Sequence, residues 1–325
     1  MAEAPPPQPT GAELRELLRL MFLIRAFDSS LPQLYTQGLS RGSSHAAIGQ
    51  EAVAVGACSV LQRADYITST HRGHGHAIAK GADVRLMMAE LFGRSEGYCK
   101  GKGGSMHIAD FSIGMLGANG IVGGGFGLAA GAALSAHLLG EERVALCFFG
   151  DGAINQGVFH EVANLAAIWQ LPLILLCENN QFAMSARASD MTAIPNIADR
   201  ATSYGFPGVS VDGMDVLAVR EVVHDAVVRA RAGEGPTLIV AACFRFAGHF
   251  SGDTMKYRTA EEAEPWLAKD PVRQFREHLD GSGAVSAAEA EQLEREAQAA
   301  IEEAIAFATA SPLPEPEDAW ADLYA

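Results

Sequence analysis

The chain has 325 residues, 49% hydrophobic and 19% charged, which is ample for one large or two medium domains and excludes wholesale disorder. Acidic residues outnumber basic ones 39 to 24, for a net charge of −15. That balance excludes a protein that coats nucleic acid or an anionic membrane, yet leaves room for a small anion held in one pocket.

Residues 1–10 lack the charged start and apolar run of a signal peptide and read as a disordered lead-in. No stretch approaches a membrane span, and a cytoplasmic protein is expected. Leu14, Leu17, Leu18, Met21 and Phe22 mark one face of a helix over 11–37. A second helix is expected over 46–61 and a short strand over 66–68, running into the histidine-rich segment 71–76. A helix over 82–92 follows. Residues 93–127 are too rich in glycine for periodicity to classify; so long a connection suggests backbone approaching a ligand. A helix is expected over 126–139. The apolar runs 144–149 and 171–177 flank a helical pattern over 155–169, a strand–helix–strand unit with buried parallel strands. Strands at 209–211 and 238–244 bracket a helix over 215–232 that Gly233 closes. Ser286 and Glu289 form a capping box opening a charged helix to about residue 310, before a proline-rich tail.

These elements give an α/β fold with a doubly wound, mostly parallel sheet, helices on both faces and helical flanks. Its expected organisation is the lead-in 1–10, a binding domain over 11–255 and a helical segment over 256–325. Ligands of such folds sit at the carboxyl ends of the strands. Gly150-Asp151-Gly152 directly follows one apolar strand and Glu178-Asn179-Asn180 the next. The crossover therefore brings a carboxylate and a carboxamide oxygen to one rim. Such hard donors suit magnesium or calcium. One carboxylate leaves the ion undercompensated, and a diphosphate is the natural co-ligand. Gly150 and Gly152 allow a tight turn, and the amide end of the next helix favours phosphate.

Other signals are weaker. Gly125 to Ala130 matches the GxGxxA dinucleotide fingerprint, which would make the chain a nicotinamide-dependent oxidoreductase. No clear strand precedes it, and close packing of the following helix is the better reading. His71, His74 and His76 invite a metallohydrolase reading, but no acidic partner or further ligand is visible nearby; with Arg72 among them, a phosphate or substrate site is favoured. The five cysteines form no CxxC and read as reduced, with Cys147, Cys177 and Cys243 in buried runs.

Taken with their neighbours, GDG and NN form the thiamine diphosphate motif. The chain resembles the alpha subunits of two-subunit E1 components of 2-oxo acid and acetoin dehydrogenase complexes, from about residue 12 to 310. The matching segments are HAAIGQEA from 45, THRGHGH from 70, KGKGGSMHIAD from 100, GANGIVGG from 117, GDGAINQG from 150, ENNQFAMS from 178 and GHFSGDTMKYRT from 248. The resemblance implies a thiamine diphosphate-binding fold and a magnesium ion held by Asp151, Asn180 and the carbonyl of Phe182. It assigns Gly152, Ala153, Arg72 and His249 to the diphosphate and the backbone of Gly120 and Val122 to the aminopyrimidine. His45 would face the substrate end of the cofactor, and His71, also counted among the cofactor-binding residues, stands where 2-oxo acid members usually carry tyrosine. His45 and His249, with ordinary near-neutral pKa values, would steady oxyanions or shuttle protons.

The segments THRGHGH and GHF look like the acetoin branch. The implied activity is cleavage of acetoin to acetaldehyde, with the hydroxyethyl fragment passed oxidatively from the cofactor to a lipoyl E2 component; pyruvate or another 2-oxo acid is the alternative substrate. In the family the glutamate that activates the cofactor comes from a beta subunit, and no second α/β unit here could supply it. An α2β2 heterotetramer is expected, with the isolated chain inactive. A non-catalytic cofactor-binding scaffold is the remaining alternative.

Overall fold

The computed structural model describes residues 8–40 and 42–322. The expected lead-in therefore lies mostly outside the described residues. Helix α1 (Gly11–Thr36) opens on a capping box between Thr10 and Glu13 and buries Leu17, Leu18 and Met21. Then come α2 (Glu51–Cys58), β1 (Tyr66–Thr68), α3 (His74–Lys80) and α4 (Val84–Leu91). The central units are α5 (Gly124–Leu139), β2 (Ala145–Gly150), α6 (Gly157–Ile168) and β3 (Leu173–Asn179). A small ribbon, β4 (Phe182–Ala183) with β5 (Ala186–Arg187), leads through the short α7 (Ala188–Met191) to β6 (Gly208–Asp212), α8 (Val216–Arg231) and β7 (Thr237–Ala242). Helices α9 (Ala260–Leu267), α10 (Pro271–Ser282) and α11 (Ala287–Ala310) finish the chain.

The main sheet has the order β1-β2-β3-β7-β6, and every pairing in it is parallel. Side chains alternate between its faces with a period of two. Leu146, Phe148, Ile174, Leu176 and Ile239 join a core built with α1, α2, α8 and α11. Ala145, Cys147, Phe149, Leu173 and Leu175 join a second core built with α5 and α6. The sheet is thus covered on both faces, as parallel strands with apolar runs require. Helices α10 and α11 share the first core with α1 and α2. All five cysteines are free. Among the described residues no helix is long and apolar enough to cross a membrane.

Two local expectations change, and one unassigned segment gains an element. The helix expected over 46–61 starts only at Glu51, because the backbone at Gly49 has φ +95° and passes against Phe244, whose carbonyl a Cβ there would meet at 2.3 Å. The histidine run, to which no element was assigned from the sequence, is partly helical: His74 to Lys80 form α3, closed by Gly81 in the left-handed region. Between Gly152 and α6 the chain makes a short 3₁₀ turn, Ala153–Asn155, so no α-helical amide end directly follows Asp151.

The glycine-rich stretch has its own organiser. Glu90 is fully buried, and its carboxylate accepts the backbone N–H groups of Cys99, Gly101, Gly103 and Gly104 at 2.8–2.9 Å. A loop with little apolar content is thereby fixed around one anion. Glycine suits it because a Cβ at Gly97 would lie 2.4 Å from that carboxylate.

Candidate active site

A cleft of about 440 Å³ opens at the carboxyl edge of the sheet. The turn after β1 supplies His71 and Arg72, that after β2 Asp151, Gly152 and Ala153, and that after β3 Asn180 and Phe182; the segment after β7 supplies His249. His45 enters from the loop before α2, and Gly120 and Val122 from the turn before α5. Every residue that the resemblance assigned to the site therefore lines this one cleft. Gly120 and Val122 lie on its exposed side, Val122 at 52% exposure beside Ile121 at 73%.

The floor contains buried polar atoms without partners. Asp151 is buried, its Oδ2 has no hydrogen bond, and burial pushes its pKa up to about 6. Asn180 donates through Nδ2 to Gln50 Oε1 at 3.1 Å, which fixes its amide and leaves Oδ1 only a long contact of 3.4 Å from the Phe182 N–H. Gly152 has ordinary helical dihedrals; its lack of a side chain matters because a Cβ would lie 2.6 Å from that of Ala183. Its glycine is required by close approach rather than by the tight turn expected from sequence.

Two guanidiniums face these groups. Arg72 is buried and donates to the carbonyls of Ala46 at 2.5 Å and His249 at 3.0 Å. Burial first, then the neighbouring Arg245, lowers its pKa to about 9. Arg245 is 1% exposed and donates to the Tyr257 hydroxyl at 2.7 Å and the Met184 carbonyl at 3.1 Å, while its Nε has no partner. Among the described residues neither arginine is in an ion pair. Two buried cations without a matching anion make a site that gains from an anionic ligand. The hard oxygens of Asp151, Asn180 and Phe182 suit a divalent cation that such a ligand would help to neutralise. Arg245 also reaches the Phe182 carbonyl at 3.5 Å, the one place where a cation and a guanidinium would compete.

Three imidazoles close the other end. The ring of His45 lies 4.7 Å from His71 and 5.1 Å from His249, centre to centre. Burial and Arg72 hold all three pKa values low, at about 3 for His45, 2 for His71 and 4 for His249. The near-neutral values expected from the sequence are thus corrected: the rings are neutral at pH 7. Their ligating atoms fall within 4.8 Å of one another, close enough for a metal. The guanidiniums that oppose a proton there oppose a metal cation too, so no metallohydrolase centre is supported. His74 and His76 are buried away from the cleft lining.

Sequence reasoning missed Arg245 and Gln50, and gave no role to Glu178, which also lines the cleft. Arg245 had a signal: it is a charged residue directly after an apolar strand, the same logic that picked out Asp151. Gln50 carried none, because only folding brings the N-cap of α2 against Asn180. The fingerprint match at Gly125 opens α5 from a glycine turn, not from a strand end. Gly125 packs against β1, where its Cβ would lie 3.2 Å from Thr68 Oγ1. This is the close-packing role expected of it.

Residues 19–317 match the family model described as dehydrogenase E1 component. The chain is 48% identical over 305 residues to the alpha subunit of the acetoin:2,6-dichlorophenolindophenol oxidoreductase of Bacillus subtilis (strain 168), covering 94% of this chain and 91% of the relative. It is 46% identical over 312 residues to the subunit of the same description from Cupriavidus necator, covering 96% and 94%. To the pyruvate dehydrogenase E1 component subunit alpha of Porphyra purpurea it is 41% identical over 312 residues, covering 94% and 91%.

Proposed function

The chain belongs to the dehydrogenase E1 component family, and on that premise we propose that it is the alpha subunit of a cytoplasmic, thiamine diphosphate-dependent enzyme that cleaves acetoin. The observation that carries this reading is the cleft floor: two buried guanidiniums without an ion pair face a buried carboxylate that has one unpartnered oxygen, at the ends of neighbouring strands. Asp151, Asn180 and the Phe182 carbonyl would hold magnesium. Arg72, Arg245 and His249 would grip the diphosphate together with the backbone at Gly152 and Ala153. When bound, the cofactor supplies a nucleophilic carbon that takes up the substrate carbonyl.

The chain's own residues do the rest. Arg72 and Arg245 neutralise the diphosphate in a poorly solvated floor, where charge-assisted hydrogen bonds are strong. His249 Nδ1 faces Arg245 at 3.4 Å and accepts, which leaves Nε2–H as the donor for an oxyanion. His45 Nδ1 is buried without a partner and, on a neutral ring, is free to accept a hydrogen bond from a substrate hydroxyl. Neutral imidazoles suit a neutral hydroxyketone; a 2-oxo acid would bring a carboxylate that these rings do not pair.

Two features support a separate beta subunit. The wall at Gly120 to Val122 is open to solvent, where the aminopyrimidine would lie. Helices α5 and α6, which pack together, expose Leu128, Leu138, Leu139, Ile168 and Trp169. The beta chain would complete an α2β2 enzyme that passes its product to a lipoyl E2 component. The test is assay of the co-expressed alpha and beta chains with an artificial electron acceptor, comparing acetoin with pyruvate. Acetoin turnover that needs both chains is expected. Preference for pyruvate would make the chain a 2-oxo acid dehydrogenase subunit instead, and turnover by the alpha chain alone would overturn the two-subunit site.

A further inference from the structure

His74, left over from the histidine run, is the centre of a fully buried chain of hydrogen bonds. Its Nδ1 lies 2.8 Å from Asp28 Oδ1 and its Nε2 lies 2.9 Å from Ser105 Oγ. Asp28 and His74 are 0% exposed and Ser105 is 3% exposed. A serine, a histidine and an aspartate in this order suggest an acyl-transfer triad. Ser105 does not line the cleft, however, so its hydroxyl has no path to a substrate.

The far end of the chain gives it another role. Asp28 Oδ2 accepts the N–H of Ala47 at 2.5 Å. The carbonyl of that same peptide group, on Ala46, accepts Arg72 Nη1 at 2.5 Å. One peptide dipole is therefore held between a buried anion at its N–H end and a buried cation at its C=O end. Both contacts are charge-assisted, in a medium that strengthens them. The carboxylate accepts from His74 Nδ1–H, which fixes its rotation and leaves Nε2 to accept from the Ser105 hydroxyl. Ser105 belongs to the loop organised by Glu90 and precedes Met106, a cleft residue.

We propose that Asp28 and His74 are positioning residues that set Arg72 in the cleft through the peptide group joining Ala46 to Ala47. None of Asp28, His74 and Ser105 lines the cleft, so the effect is transmitted rather than direct. The proposal rests on the reading of Arg72 as a diphosphate-binding group.

The experiment is a double-mutant cycle on the co-expressed alpha–beta complex, read as the affinity for thiamine diphosphate at saturating magnesium by calorimetry. Asp28→Asn keeps the size but removes the charge, and Arg72→Lys keeps the charge but removes the fork. Each is expected to weaken binding about 10- to 100-fold. The double variant is expected to bind no more than about 3-fold worse than Arg72→Lys alone, because both act on one contact. A merely structural aspartate would give losses that multiply, and that result overturns the proposal. So does an assembled Asp28→Asn complex with wild-type affinity. If Asp28→Asn fails to assemble, Ser105→Ala carries the test. It is expected to weaken binding about 3-fold with Arg72 present and not at all with Arg72→Lys; wild-type affinity would overturn the proposal. Asp151→Asn separates this inference from its premise. If Asp151→Asn loses affinity and Asp28→Asn does not, only the positioning role fails. If neither loses affinity, the cofactor reading fails.

Discussion

Around Glu90, four backbone N–H groups converge on one buried carboxylate; around Asp151, a carboxylate that is also buried keeps an oxygen with no partner at all. The two anions lie in the same fold and at comparable depth, yet their surroundings differ in kind. Glu90 has exchanged water for the amides of its own loop, so its contacts are already complete. Asp151 gave up water and recovered only backbone contacts, at Asp151 and Asn180, which leave Oδ2 without a partner, as His45 Nδ1 and Arg245 Nε are nearby. A folded chain tolerates such orphans where another species satisfies them. Satisfied buried charge therefore marks what the protein builds for itself, and unsatisfied buried charge marks what it leaves for a ligand.

Three substitutions test this contrast. The largest effect is expected at Glu90. Glu90→Ala would strand four amides and lower the unfolding free energy by roughly 3–5 kcal/mol, seen as a drop in the urea midpoint. A small change would mean that water replaces the carboxylate without penalty. Asp151→Asn should behave in the opposite way. Affinity for thiamine diphosphate with magnesium should fall roughly 100-fold or more, while the cofactor-free chain at pH 7 becomes more stable by about 1 kcal/mol. A less stable Asp151→Asn chain would show that the carboxylate serves the fold.

The smallest effect concerns pH. The His71 pKa is lowered to about 2 by burial and then by Arg72. A depressed folded pKa contributes stability that is complete above the unfolded value, near 6.5, and is lost as pH falls toward the folded one. Lowering the pH of the cofactor-free chain from 7 to 5 should therefore cost about 1–2 kcal/mol through His71 alone. His71→Gln should remove that share of the acid sensitivity in thermal melts. An unchanged pH profile would place another histidine in that role.

The regular centre of the molecule was legible because apolar strands announce themselves. The run at 66–68 matched β1 residue for residue, and those at 144–149 and 171–177 fell within two positions of β2 and β3. Asp151 and Asn180 were found by the same route, as polar residues just past strand ends. The histidine run was harder to read. His71 stays in the turn and reaches the cleft, while His74 three positions later begins α3 and turns inward to Asp28. Residue type does not separate the two, since the choice depends on a carboxylate 46 positions away. The histidine pKa values were misjudged for a related reason: burial first and then Arg72 lower all three, and both come only from the assembled cleft.

The sequence by itself determined the layered α/β architecture, the strand ends that carry oxygen ligands and the family, because these follow from local periodicity and short contiguous motifs. Tertiary structure alone decided which polar groups are satisfied: Asp28 beneath the Ala46–Ala47 peptide, Gln50 on Asn180, and two guanidiniums without an anion. Burial and pairing depend on what distant segments bring together, and that is where the desolvation of charge is set.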